Sequence, residues 1–303
     1  MKKKTLIRLI IIMLICVAAA IGSLLYRGTE LTNAREQRES IVASEKVIEA
    51  ADTVSSAAAE VVSRPYFDPA TYAASEHVYS HRGSAGSREH TFEAYDAAIE
   101  AGSHYIELDL VRSADGTLYI SHDQTPERLT GGGRAFAAMT DAEIDELRTA
   151  NGEKIHTLSE VFDRYGTAVN YVIEFKNYNQ ETIEAFEKLV DQYGYADNII
   201  AQCFELASLE ALDAKYPDMP MLFLIDRQSE VSLGIDKSYI DIIAVDKDLM
   251  TRKNCEFAHN YGKKFSVWTL DTEDEIREAI SIGADTFFTN DTPLAIKLLK
   301  ENQ

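Results

Sequence analysis

The chain has 303 residues, 46% of them hydrophobic, and a formal net charge of −20. A chain of that size buries a large core, as one big domain or two ordinary ones. The acidic balance excludes nucleic acid as a partner, because a phosphate backbone calls for a basic face.

Charge is unevenly placed from the start. Residues 1–27 carry Lys2, Lys3, Lys4, Arg8 and Arg27 and no acid, which leaves 25 basic against 50 acidic residues in the rest. Behind the basic start runs "LIIIMLICVAAAIGSLL", seventeen uncharged residues from Leu9 to Leu25. Counted from Thr5 to Tyr26 the segment has 22 residues, close to the ~20 that a membrane-spanning helix needs. Arg8 can snorkel to the interface, and positive charge ahead of the segment keeps the N-terminus cytoplasmic. The pattern predicts a single-pass anchor over 1–27, with the remainder outside the cell membrane of a bacterium. The rival is a cleaved signal peptide, with Ala18-Ala19-Ala20 as its small-residue site, which would make the protein secreted. Apolar residues continuing to Leu25 favour the anchor. Bulky Ile15 speaks against lipid modification of Cys16. Cys203 and Cys255, the other two cysteines, read as buried thiols rather than a disulfide.

Residues 28–75 are rich in Ala, Glu and Ser, with a weak apolar stripe at Ile41, Ile48, Ala51, Val54, Ala58 and Val61. They read as a helical stalk that Pro65 and Pro69 end. From about residue 76 to 303 the text changes. Short apolar runs alternate with helical patterns: "VYSHRG" (78), "YIELDL" (105), "YVIEFK" (171), "NIIAQCF" (198), "PMLFLID" (220), "DIIAVDK" (241), "KFSVWTLD" (264) and "ADTFFTND" (284). The last six begin 27, 22, 21, 23 and 20 residues apart, a spacing that suits strand–helix units. Gly194 and Gly283 close two of the intervening helical patterns, as C-terminal caps often do. Eight strands alternating with helices predict a closed parallel (β/α)8 TIM barrel, with an open doubly wound sheet as second choice. The 66 residues from Tyr105 to Tyr171 exceed one unit. They contain "DGTLYISHD", read as a turn and an extra strand, and "TGGGRAF", read as a flexible loop. An elaborated segment after strand 2 lies at the barrel face where active sites sit.

Strands of a parallel barrel are covered on both sides, so polar residues late in a strand are informative. Glu107 and Asp109 are two apart and point the same way. Two such carboxylates repel unless a cation or a shared proton intervenes. Glu174 sits at the matching place on the next strand, with Lys176 two residues on. Three carboxylates from adjacent strands make an all-oxygen site suited to Ca²⁺, Mg²⁺ or Mn²⁺; the plainer alternative pairs each acid with a lysine or arginine at the rim. His81 ends strand 1, and His122 follows the extra strand. Two histidines beside a cation can serve as general acid and general base, and Arg82 offers a fork for phosphate. Together these groups describe hydrolysis of a phosphate ester. His77 and His81 share the i, i+4 spacing of a helical metal pair, but on a strand they stand ~13 Å apart, too far for one ion.

With those residues in place, the chain from about 78 to 293 resembles the glycerophosphodiester phosphodiesterases, a family of (β/α)8-barrel enzymes. "HRG", "IELDLVRSADGTLYISHD", "TLSEVF", "VIEFK", "VWTLD" and "TNDTP" stand in the family's order, and the "E-x-D … DG … HD" stretch is the specific part. The resemblance implies that His81 and His122 are the catalytic acid–base pair and that Glu107, Asp109 and Glu174 are metal ligands. It implies phosphate contacts at Arg82 and Lys176, a further acid close to the metal at Glu89, and a pocket-bordering aromatic at Trp268, for which strand-end packing is the bland alternative. The family's "PENT" is here "REHT", with Arg88 for proline and His90 for asparagine; its "TD" is "TN" at Thr289-Asn290. Only 34 residues separate His122 from Thr157, room for a loop and a helix but not for an extra domain.

The expectation is a membrane-anchored, metal-dependent enzyme that splits a glycerophosphodiester into glycerol phosphate and an alcohol, with His122 slightly favoured as the acid. Its rivals are a phospholipase of C or D type acting on intact or lyso lipids, and a non-catalytic binding module on a decayed barrel.

Overall fold

The computed structural model describes residues 74–84, 88–176 and 179–302. The anchor expected over 1–27 lies outside the described residues, as does the stalk of 28–75 except for its last two. Among the described residues no helix is long and apolar enough to cross a membrane.

Nine strands form one sheet: β1 (Val78–Ser80), β2 (Tyr105–Arg112), β3 (Leu118–Ile120), β4 (Asn170–Phe175), β5 (Ile199–Cys203), β6 (Met221–Ile225), β7 (Ile242–Asp246), β8 (Lys264–Trp268) and β9 (Thr286–Thr289). All neighbours run parallel except β3, which pairs antiparallel with β2. β1 bonds to both β2 and β9, which closes the other eight strands into a barrel. After each barrel strand comes a helix: α1 (Phe92–Glu100), α4 (Leu158–Tyr165), α5 (Gln180–Tyr193), α6 (Leu206–Lys215), α7 (Gln228–Ile235), α8 (Arg252–Asn260), α9 (Glu273–Ile282) and α10 (Thr292–Glu301). The short α2 (Glu127–Thr130) and α3 (Asp141–Asp145) belong to the segment that follows β3. The predicted (β/α)8 barrel with a hairpin after its second strand is therefore the architecture found.

Local sequence explains the element ends. Thr157 and Thr272 open α4 and α9 with reciprocal capping boxes to Glu160 and Glu275, which satisfy two otherwise unpaired donors each. Gly194 and Gly283 end α5 and α9 in the left-handed conformation, where glycine carries no Cβ penalty.

Two cores result. The larger packs strands against the helix ring, with Leu209, Ile276 and Leu298 among its helical members. The smaller holds strand residues only, among them Val172, Leu222, Ile242 and Phe288, and so fills the barrel's interior. Cys203 and Cys255 are buried free thiols. The segment after β2 departs from expectation. Phe136, in the "TGGGRAF" stretch expected to be a flexible loop, is fully buried with Val111, Tyr119, Met139, Ile144 and Ile155 in a third cluster. One aromatic in a glycine-rich run is enough to pin it. A single loop and helix became two short helices around a small core of their own.

The end of the barrel remote from the strand C-termini is tied by Asp285. Its Oδ2 accepts from the Phe265 amide at 2.7 Å and lies 2.7 Å from His259 Nε2, while its carbonyl takes Nδ1 of His77 at 2.7 Å. His77 thus stands at the opposite end of β1 from His81. The hydrogen bond to Asp285, with Cys255 adding to it, pushes His259 up to about 10. A raised folded-state pKa stabilises fully below the unfolded value near 6.5 and loses that contribution as pH climbs through about 10. His259→Ala is expected to cost about 1–2 kcal/mol at pH 6, since the ring is partly exposed. Urea unfolding should show the gap from wild type closing by pH 10; a gap independent of pH would contradict the ion pair.

Candidate active site

β1 delivers its last residue, Ser80, to the C-terminal mouth of the barrel, and His81 and Arg82 follow at once. There the chain turns through two positive φ angles, 55° at Arg82 and 106° at Gly83. The turn aims the Arg82 amide at Glu107 Oε2, 2.9 Å away. A Cβ on Gly83 would lie 2.4 Å from Ala94 Cβ in α1, so only glycine lets α1 dock beside the turn. That is the physical content of "HRG".

Strand alternation then brings the acids together. Glu107 and Asp109 share the inner face of β2, and Asp109 is in register with Glu174 on β4. One ligand atom from each of the three lies within 4.8 Å of the others, and all three residues are buried. Lys176 Nζ contacts Asp109 Oδ1 at 2.5 Å and Glu174 Oε1 at 2.8 Å. Arg82 Nε stands 3.4 Å from Asp109 Oδ2. Gln202, in register with Glu174 on β5, donates to Glu107 Oε1 at 2.9 Å. The rim-pairing alternative is thus partly true, for Lys176 and Arg82 do sit on the acids.

Electrostatics separates the three carboxylates. Burial and then the charge of Asp109 push Glu107 well above the usual carboxylate range. The same two causes raise Glu174 to about 8. Burial works against ionised Asp109 too, but the hydrogen bond from His90 and the charges of His90, Lys176 and Arg82 hold it well below its ordinary value. A donor set of three carboxylates within 4.8 Å fits a hard divalent cation. Oxygens on opposite sides of Ca²⁺, each at ~2.4 Å, would be ~4.8 Å apart.

The histidines take different places. His81 Nδ1 lies 2.8 Å from Asn290 Oδ1, and burial followed by the nearby Arg82 charge lowers its pKa to about 4. His122, half-exposed on the hairpin, has Nδ1 at 2.7 Å from Asp123 Oδ1; burial and Lys176 lower its pKa. Glu89 does not join the carboxylate cluster: its Oε2 accepts from Arg82 at 3.1 Å and Arg128 at 3.0 Å. Trp268 ends β8 partly buried against the interior core, its indole donating to Ala244 O at 3.1 Å. Phe204, just past β5 and exposed, meets it edge-on at 5.6 Å.

Several of these groups escaped sequence reasoning. His90 stands there only as a departure from the family's "PENT", yet it is buried with φ 58°, its Nε2 2.8 Å from Asp109 Oδ2 and its Nδ1 2.8 Å from Tyr95 OH. Gln202 carried the available signal, a polar residue late in a barrel strand. Asn290 and Phe204 are placed only by closure of the barrel.

Fold and site together define a TIM barrel with a cluster of three buried carboxylates at the strand C-termini. The profile of the Glycerophosphoryl diester phosphodiesterase family matches residues 81–294. A glycerophosphodiester phosphodiesterase of Bacillus subtilis is 26% identical over 250 residues, 73% of this chain and 85% of the relative. One from Caldanaerobacter subterraneus is 28% identical and is matched over 98% of its length by 74% of this chain. The crystal structure of the Thermotoga maritima glycerophosphodiester phosphodiesterase superposes with a TM-score of 0.63 at 30% identity, covering 73% of this chain and 97% of that one. An Oleispira antarctica phosphodiesterase, solved in complex with the product sn-glycerol-3-phosphate, shares the fold with a TM-score of 0.66 at 22% identity, over 74% of this chain and 96% of that one. The chain belongs to the glycerophosphoryl diester phosphodiesterase family, whose members hydrolyse glycerophosphodiesters.

Gly83→Ala should lower stability by roughly 2–4 kcal/mol, the sum of a strained left-handed backbone and a clash with α1. Denaturant unfolding checks it; wild-type stability in the variant would show that the turn and helix can part cheaply.

Proposed function

We propose that this chain hydrolyses a glycerophosphodiester to glycerol phosphate and an alcohol, with a divalent cation, Ca²⁺ or Mg²⁺, held by Glu107, Asp109 and Glu174. The observation that carries this reading is the convergence of three buried carboxylates at the barrel mouth. If all three ionise against Arg82 and Lys176, one negative charge is left over; a divalent cation makes the balance plus one, which a phosphodiester monoanion neutralises. The product bound by the Oleispira antarctica relative supports glycerol phosphate as what is left after cleavage.

The cation, once bound, supplies charge neutralisation at the phosphoryl oxygens. Arg82 and Lys176 reach the same oxygens from either side of Asp109. His81, with its pKa near 4, is neutral at physiological pH and takes the proton of the attacking hydroxyl; attack by water gives glycerol phosphate directly, whereas attack by the substrate's own glycerol gives a cyclic phosphate that water opens in a second step. His122 gives its proton to the leaving alcohol, and the negative charge of a bound phosphodiester favours the protonated ring. Asp123 holds Nδ1 of that ring, leaving Nε2 to face substrate. Trp268 and Phe204 border the alcohol side. An exposed aromatic there is the one observation that favours a lysolipid as alternative substrate. The N-terminal charge pattern supports anchoring in the cell membrane with the barrel outside, which N-terminal sequencing of the membrane-bound form checks.

Hydrolysis of a panel of glycerophosphodiesters and lysolipids should fall to background with chelator and return with Ca²⁺ or Mg²⁺. His81→Ala and His122→Ala should each lose about 10²–10⁴-fold in kcat. Full activity after chelation, or in His122→Ala, would sink the mechanism.

A further inference from the structure

Asn290 and Asp271 lie outside the acid cluster and form a two-residue arm behind His81. Asp271 Oδ1 accepts the Asn290 backbone amide at 2.8 Å, and Asp271 Oδ2 lies 2.9 Å from Asn290 Nδ2. A carboxylate only accepts hydrogen bonds, so the side-chain atom facing it must be the NH₂ group. The amide cannot be turned over without setting two oxygens against each other. Its oxygen is therefore committed to the other side, where it meets His81 Nδ1 at 2.8 Å. An amide oxygen has no proton to give, so Nδ1 must carry the hydrogen. In a neutral imidazole the lone pair is then left on Nε2. The His81 amide also donates to Thr289 O at 2.9 Å, which holds the His81 main chain beside Asn290.

We propose that Asn290, oriented by Asp271, is a positioning residue that locks His81 in the Nδ1–H tautomer and so keeps Nε2 as the basic nitrogen at the barrel mouth. This rests on the reading of His81 as the general base. A carboxylate in the place of Asn290 would select the same tautomer, but it would bring a negative charge against the ring and against Asp271. The amide selects the tautomer without adding that charge.

The lock has a direct spectroscopic readout. In ¹⁵N-histidine-labelled full-length protein, the two ring nitrogens of His81, assigned by loss of its signals in His81→Gln, should report a single Nδ1–H form. Asn290→Leu removes the acceptor at similar volume and should give a mixture of tautomers, with kcat lower by about 10- to 100-fold and KM within about twofold. Asp271→Asn, which keeps the shape but lets both amides turn, should give a partial mixture and a smaller loss of kcat. An Nε2–H ring in wild type, or an unmixed Nδ1–H ring in both variants, would overturn the lock. Tautomer mixing with unchanged kcat would instead overturn the assignment of His81 as base.

Discussion

Everything at the barrel mouth answers one electrostatic problem, the burial of three carboxylates within 4.8 Å of one another. At an effective dielectric constant of 20, each ionised pair at that separation repels by about 3–4 kcal/mol, before the cost of desolvation. The fold meets this with Lys176 between Asp109 and Glu174, the Arg82 guanidinium near Asp109 and its amide on Glu107, Gln202 on Glu107 and His90 on Asp109. Even so, burial and the Asp109 charge hold Glu107 and Glu174 above the usual carboxylate range. That remaining cost is what the proposed cation would relieve.

The scaffold supplies the site with two degrees of rigidity. Asp109, Glu174 and Gln202 are register neighbours on three adjacent parallel strands, so their spacing is that of the sheet itself. His122 comes from the hairpin segment, which has its own small core. A polar chain ties it back: His122 to Asp123, Asp123 to Arg128, Arg128 to Glu89, and Glu89 to Arg82. Glu89 is thus the link that sets the hairpin's histidine relative to the first strand's arginine. That role accounts for the Oε2 atom of an acid at this position.

Much of this was legible in the sequence, for a physical reason. Strand alternation with period two puts Glu107 and Asp109 on one face, and parallel strands of similar spacing put Glu174 beside them. The barrel, its eight strands and the hairpin follow from the same periodicities. What stayed hidden depends on contacts between residues far apart in the chain. His81 and Asn290 meet because β1 and β9 close the barrel. His90 in "REHT" stands just before α1, and the positive φ of the turn drops it inward onto Asp109. Phe136 is hidden among glycines that suggest mobility, and its burial depends on β3 and α3 arriving beside it.

The most direct test is calorimetric titration of Ca²⁺ or Mg²⁺ into the full chain and into Glu107→Gln and Glu174→Gln. If the three carboxylates are one cation site, wild type binds one ion per chain, and each variant loses most of that binding while keeping its fold by circular dichroism. Ion binding that is absent in wild type, or unchanged in both variants, would contradict a cation site built from this cluster.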